Sequence, residues 1–376
     1  MKSLLAAASC LLAGLALGYA LARSRPVVAD SPARTAAPAL AAAEPARAAP
    51  FDPATARDEL ARALAAPASQ ATDETILAAL ERLAATDPAA ARAAALAQPN
   101  VRLRWEMTRA VLRGWARLDP DAAVAWALGE QRVLAPPIAV EAVLEGLVPV
   151  QPARAVALVE RLSREAAPAL RAPFGTALIA QLARHGEFAT AARFASVGDA
   201  GIRADWVAMS YNIWATHQPD AAAAALASLD DAELRAKASS SVVEGWAVAD
   251  PRGLAEHSLR LTDAAERDRA LTEALRSWAF ADADAAAAWV GHVEGSTNID
   301  AGVATVAKSP AFVAQPAAAL ALARVIDDPQ LRTTTIGDIV REWSGTDPRA
   351  ALAYASASPD LDEASRASLL AQLRAR

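Results

Sequence analysis

One constraint dominates this chain: a short pattern returns about every 32 residues. Val111 to Leu128 reads V-L-R-G-W-A-R-L-D-P-D-A-A-V-A-W-A-L, and its echoes are Val242 to His257, Leu275 to Trp289 and Ile339 to Tyr354. Each copy has an apolar run ending near a tryptophan, then a break, then Asp-Pro or its equivalent ahead of an alanine-rich run. Aspartate is a preferred helix N-cap, and proline at the first helical position gives up only a donor with no partner there. The proline position falls at Pro88, Pro120, Pro152, Glu187, Pro219, Pro251, Ala283, Pro316 and Pro348, giving intervals of 32, 32, 35, 32, 32, 32, 33 and 32. A period this regular predicts stacked units, each burying its apolar face only against its neighbours.

The spacing predicts two helices per unit. Three and four residues before the tryptophan stand Leu112 and Val111, Leu144 and Val143, Val243 and Val242, Leu275 and Ala274, and Val340 and Ile339; seven before it stand Val140, Val207, Leu271 and Ile336. That is the stripe of an amphipathic helix. In the second helix, Ala122, Ala123 and Trp126 recur as Ala285, Ala286 and Trp289 and as Ala350, Ala351 and Tyr354. Apolar residues make up 54% of the chain but aromatics only 5%, so alanine supplies much of the apolar content and favours closely approaching helices. Tryptophans that recur in register (Trp115, Trp214, Trp246, Trp278 and Trp343; Trp126 and Trp289) are expected in the core between units. Trp105 and Trp206 fall outside those positions and are the better candidates for an exposed or semi-exposed aromatic contact.

At the N-terminus, Met1 to Ala22 carries an uncharged run long enough to span a bilayer, while Ala20-Leu21-Ala22 also fits a signal-peptide cleavage site. The expectation is a segment 1–22 acting as anchor or signal and a proline- and alanine-rich linker over 23–50, followed by a helical domain over 51–376. This places the protein in the cell envelope, anchored in the inner membrane with a periplasmic domain, or released after cleavage near Ala22. Cys10, the single cysteine, reads as a passive apolar residue of that run. Within the domain, a leading helix is expected over Pro53 to Ala65, Thr72 or Asp73 caps the next, and the fourth unit opens near Pro173. In the eighth unit Ser309-Pro310 should end the first helix early, and Leu361 to Arg376 should form a final helix covering the end of the stack.

The unit resembles the helical hairpins of the tetratricopeptide and HEAT-like repeat families. The nearest local likeness is His185-Gly186-Glu187-Phe188-Ala189-Thr190-Ala191-Ala192-Arg193-Phe194-Ala195, with Gly186 and Ala191 at the small-residue positions, although the period is 32 and proline opens the second helix. The resemblance implies an all-α fold, a right-handed α-solenoid of about nine helix-turn-helix repeats with a terminal capping helix, that binds protein or peptide on its superhelical surface.

Little in the sequence points to chemistry. With 37 basic and 43 acidic side chains the net charge is -6, which argues against nucleic acid, whose phosphates need a concentrated basic surface. No nucleophile elbow, zinc-protease motif or phosphate loop is found, and no cofactor or metal is expected. His185 and His217 share a turn position but lack acidic or cysteine partners for a zinc site. Asp87, Asp119, Asp250, Asp282 and Asp347 occupy the N-cap position, which already accounts for them. The remaining candidate is a mixed-charge ridge two residues before the tryptophan: Arg113, Glu145, Asn212, Glu244, Arg276 and Arg341. The function expected is therefore a non-catalytic, envelope-associated scaffold for a protein or peptide. The alternatives are an accessory or enzyme acting on an envelope glycan or peptide, and a structural spacer.

Overall fold

Asp119 shows how the sequence builds each hairpin. Its extended backbone stops one helix, and its Oδ1 accepts the Ala122 N–H at 3.0 Å to start the next. Asp87, Asp250, Asp282 and Asp347 repeat the geometry, accepting from Ala90, Gly253, Ala285 and Ala350 at 2.9–3.0 Å. At Asp282 φ is -157° and ψ 89°, so the helical run 264–290 is broken there into two. Replacing Asp119 with alanine should cost about 1 kcal/mol, readable as a lowered urea midpoint with unchanged helix content.

The computed structural model describes residues 53–67, 69–129, 133–293, 299–313 and 315–375. The segments expected at 1–22 and 23–50 lie outside these residues. Every regular element among the described residues is helical. In chain order these are α1 (Pro53–Ala65), α2 (Gln70–Ala84), α3 (Pro88–Ala97), α4 (Val101–Leu118), α5 (Pro120–Leu128), α6 (Pro136–Leu147), α7 (Pro152–Glu165), α8 (Pro168–Arg184), α9 (Phe188–Val197) and α10 (Arg203–His217). Then follow α11 (Pro219–Ala225), α12 (Ala232–Ala249), α13 (Pro251–Ser258), α14 (Ala264–Val290), α15 (Asp300–Ala307), α16 (Pro310–Val313), α17 (Pro316–Ala323), α18 (Pro329–Thr346), α19 (Pro348–Ala357) and α20 (Glu363–Arg374). No described helix is long and apolar enough to cross a membrane.

Packing follows chain order. Each first helix lies on the next, α2 on α4, α4 on α6, α6 on α8 and so on to α14, whereas a second helix such as α5 lies between the first helices of its own and the following unit. Most residues three and four before the tryptophan are buried here: Val111, Leu112, Val143 and Leu144 are fully enclosed, as are Leu275 and Val340, while Val243 is half-buried. Between first helices the backbones touch. A Cβ on Gly146 would stand 2.0 Å from the Arg113 carbonyl oxygen, and Gly114 and Gly245 meet the carbonyls of Glu81 and Asn212 in the same way. Each glycine comes one residue before the tryptophan position, and each meets a carbonyl 33 residues earlier.

The aromatic positions close the hairpins from within. Trp115 faces Trp126 with ring centroids 6.0 Å apart, Trp278 faces Trp289 at 5.8 Å, Trp343 faces Tyr354 at 6.1 Å, and Trp246 faces His257 at 4.6 Å. Trp126, Trp214 and Trp246 are buried, while Trp115, Trp289 and Trp343 are half-buried against the same core. Trp206 departs from expectation. It is 4% exposed, because Gly175 and Gly198 leave room for its indole and Phe194 stacks on it at 5.2 Å. Trp105 is half-buried beneath the Arg109 guanidinium.

Two boundaries differ from those expected from the sequence. Ser69 caps α2, accepting the Thr72 N–H, so the helix starts ahead of Thr72 and Asp73. The fourth unit opens at Pro168, and Pro173 sits inside α8, six residues in. That unit leaves its first helix through Gly186, at φ 77°, where Gly186 and Glu187 donate to Ala183 and Leu182. This left-handed exit replaces Asp-Pro. Ser309-Pro310 does divide the eighth unit, with α15 stopping at Ala307 and a short α16 following.

A second recurring device holds the loops between units. The caps Asn100, Asp231, Asp263, Asp328 and Asp362 each precede an arginine by four residues. Arg104, Arg235, Arg267, Arg332 and Arg366 fold back onto loop carbonyls, as in Arg235 to Leu229 at 2.8 Å and Arg332 to Ile326 at 2.6 Å. In the eighth unit Asp300 takes the arginine's place, is 7% exposed, and accepts the Asp327 and Asp328 N–H groups at 2.9 and 2.8 Å.

Candidate functional site: the outer row of the first helices

The six ridge residues occupy one position on six of the first helices, but the structure treats them unequally. On α4, Arg113 donates to Glu81 at 3.0 Å on one side and to Glu145 at 3.3 Å on the other. Glu81, Arg113 and Glu145 are 32 residues apart, so a period in the sequence becomes a row of alternating charge in space. Arg117 adds a second bond to Glu81 at 2.5 Å, and Arg109 pairs with Glu145 while its guanidinium lies 5.1 Å from the Trp105 ring centre. Side-chain exposures of 15–23% for Glu145, Glu81 and Arg113 put these ion pairs partly out of water, where geometry counts for more than in a solvated pair.

Farther along, Asn212 is half-buried and donates to the Ser241 carbonyl at 3.3 Å. Arg341 pairs with Asp338 on its own helix. Arg276 is exposed and bonds Glu273 at 2.9 Å, and Glu244 is exposed. The N-terminal part of the ridge is thus engaged by its neighbours, whereas Glu244 and Arg276 stand in solvent.

Around this row the described residues offer little enclosure. Two small cavities of about 100 and 160 Å³ are lined by Asp268, Asp300 and Asp328 and by Lys308, Phe312 and Asp338. Both are below the size of ordinary small-molecule sites, which begin at roughly 300 Å³. Among the described residues no group of three His, Cys, Asp or Glu has metal-binding geometry. His217 packs on Phe188 at 5.3 Å, and His185 ends α8.

His257 has a displaced titration. Burial against Trp246, with Arg260 nearby, holds it below the ordinary histidine value of 6.5. The folded protein therefore binds fewer protons there than the unfolded chain, and stability should fall as pH drops through 6.5 toward the lower folded value. Urea midpoints measured between about pH 8 and 5 should show this decline. In His257→Gln its slope should be reduced.

Apolar side chains that carry no expectation from the sequence stand beside the ridge. One helical turn beyond Glu244 and Arg276 stand Val248 and Phe280, 73% and 87% exposed. Their signal was present in the repeat alignment, where two residues after the tryptophan other units carry Arg117, Thr216 and Gly345. Comparison of the chain with protein families, with curated proteins and with solved structures gives no match.

Proposed function

We propose that residues 51–376 form a right-handed α-solenoid of about nine helix-turn-helix units with a closing terminal helix, of the kind seen in tetratricopeptide and HEAT-like repeats. In this reading the protein is a non-catalytic scaffold that binds a protein or peptide along the outer row of its first helices. Met1 to Ala22 holds it at the cell envelope, with the helical domain in the periplasm.

The observation that carries the architecture is the Glu81, Arg113 and Glu145 row, whose 32-residue spacing is matched by direct contact from unit to unit. What supports partner binding is that the apolar stripes and Asp-Pro caps serve packing within and between the hairpins, while Glu244 and Arg276 of the ridge stand in solvent. Photo-crosslinking in the cell from positions 113, 244 and 276, with three opposite-face positions as controls, tests the function. One protein captured reproducibly from the ridge alone is the expected result. Capture of glycan, or of nothing from either face, overturns the scaffold and favours the accessory or spacer alternatives.

A further inference from the structure

Resting on the scaffold reading, we infer that the ends of α12 and α14 form the docking surface, and that its occupant is a basic partner segment bearing two apolar side chains. Val248 and Phe280 hold the same position in neighbouring units, two residues past Trp246 and Trp278, on first helices that pack together. Helices in contact run about 8–10 Å apart, which sets the expected spacing of the two side chains. At 87% exposure Phe280 leaves nearly its whole ring in water. The corresponding position elsewhere holds Ala85, Arg117, Pro149, Arg184, Thr216, Val313 and Gly345, so Phe280 is the one aromatic side chain placed there. Exposed aromatic anchors within a charged setting are the usual centres of binding energy at protein interfaces.

The charge around the pair selects the partner. Glu244 lies one turn before Val248 on the same face, Asp250 follows it by two residues, and Asp282 and Asp284 follow Phe280 by two and four. Asp250 and Asp282 spend one carboxylate oxygen each on capping and leave the second oxygen without a capping role. The two arginines close in sequence are committed: Arg252 pairs with Glu256 at 2.8 Å and Arg276 with Glu273. An apolar pair among uncompensated carboxylates is complementary to a segment with two apolar residues about 10 Å apart, flanked by lysine or arginine. In a polyproline II segment, with three residues per turn and a rise of about 3.1 Å each, side chains three residues apart share one face at close to that separation.

The test uses the full-length chain and random dodecapeptides displayed on phage, with the strongest binder then synthesised. Enriched peptides are expected to be basic with spaced apolar residues. Affinity should fall at least about tenfold in Phe280→Ser, the loss expected for removing a binding anchor, and fall less in Val248→Ser. It should also weaken in the double variant Asp282→Asn/Asp284→Asn, which removes both charges and keeps the helix capped, since asparagine serves as an N-cap as well as aspartate does. Circular dichroism of Phe280→Ser should match the parent. Acidic or uncharged winners, or binding indifferent to Phe280→Ser, overturn the inference. A peptide lost in Arg113→Ala or Arg341→Ala but kept in Phe280→Ser would move the site along the ridge and leave the scaffold standing, whereas no enrichment at all would count against both.

Discussion

Trp246→Ala should destabilise the protein by about 3–5 kcal/mol, the range for removing a large buried aromatic. Trp246 is 3% exposed and sits between its own second helix, through the His257 ring, and the first helices on either side. Truncation would open a cavity at a junction of units, so the loss should appear as early melting followed by circular dichroism. Trp246→Phe is the informative companion. The indole N–H meets no acceptor among the described residues, so exchanging it for a phenyl ring gives up packing volume and no hydrogen bond. A melt unchanged by the alanine substitution would remove Trp246 from the core.

Gly146→Ala carries the second large effect, and its sign depends on two opposed terms. In a free helix the change would stabilise by about 1 kcal/mol through propensity. Here the new Cβ would meet the Arg113 carbonyl oxygen at 2.0 Å and the carbon behind it at 2.7 Å. Both are backbone atoms of a packed helix, so α4 and α6 must separate. Overpacking of this kind costs about 1–3 kcal/mol, and with two main chains to move we expect the upper end, for a net loss of about 2 kcal/mol. Gly337→Ala is the control: nothing lies within 4 Å of its Cβ position, and it should stabilise by up to about 1 kcal/mol. Chemical denaturation of the two variants side by side should displace the midpoint in opposite directions.

Helix pairing, the Asp-Pro breaks and the buried stripe were legible because each rests on a local rule repeated many times. Asp119 caps whatever surrounds it, and Val111 with Leu112 falls on one face of any helix. Trp206 was misjudged because its burial depends on Gly175, in the preceding unit, and on Gly198 in the loop ahead of its own helix. Pro173 suggested a helix start, but Pro168 lies only five residues earlier and takes the first position. The arginines that fold onto the loops were readable as Asp-x-x-x-Arg, from Asp231 to Arg235 and from Asp263 to Arg267, but only by pairing each cap with a residue one turn later. For the ridge, the sequence supplied position and charge. It did not supply engagement: Arg113 and Arg276 share an alignment column, yet one spans two neighbouring units and the other a single turn of its own helix.

The alternation along Glu81, Arg113 and Glu145 also limits how such a chain can grow or shrink. Losing the 32 residues between successive proline positions Pro88 and Pro120 removes Arg113 and sets Glu81 against Glu145, carboxylate facing carboxylate. Losing two adjacent units removes Arg113 and Glu145 together and leaves Glu81 beside Ala180, with no repulsion. In this stretch, shortening by pairs is electrostatically permitted and shortening by one is opposed, so the charge row acts as a parity rule on the number of units.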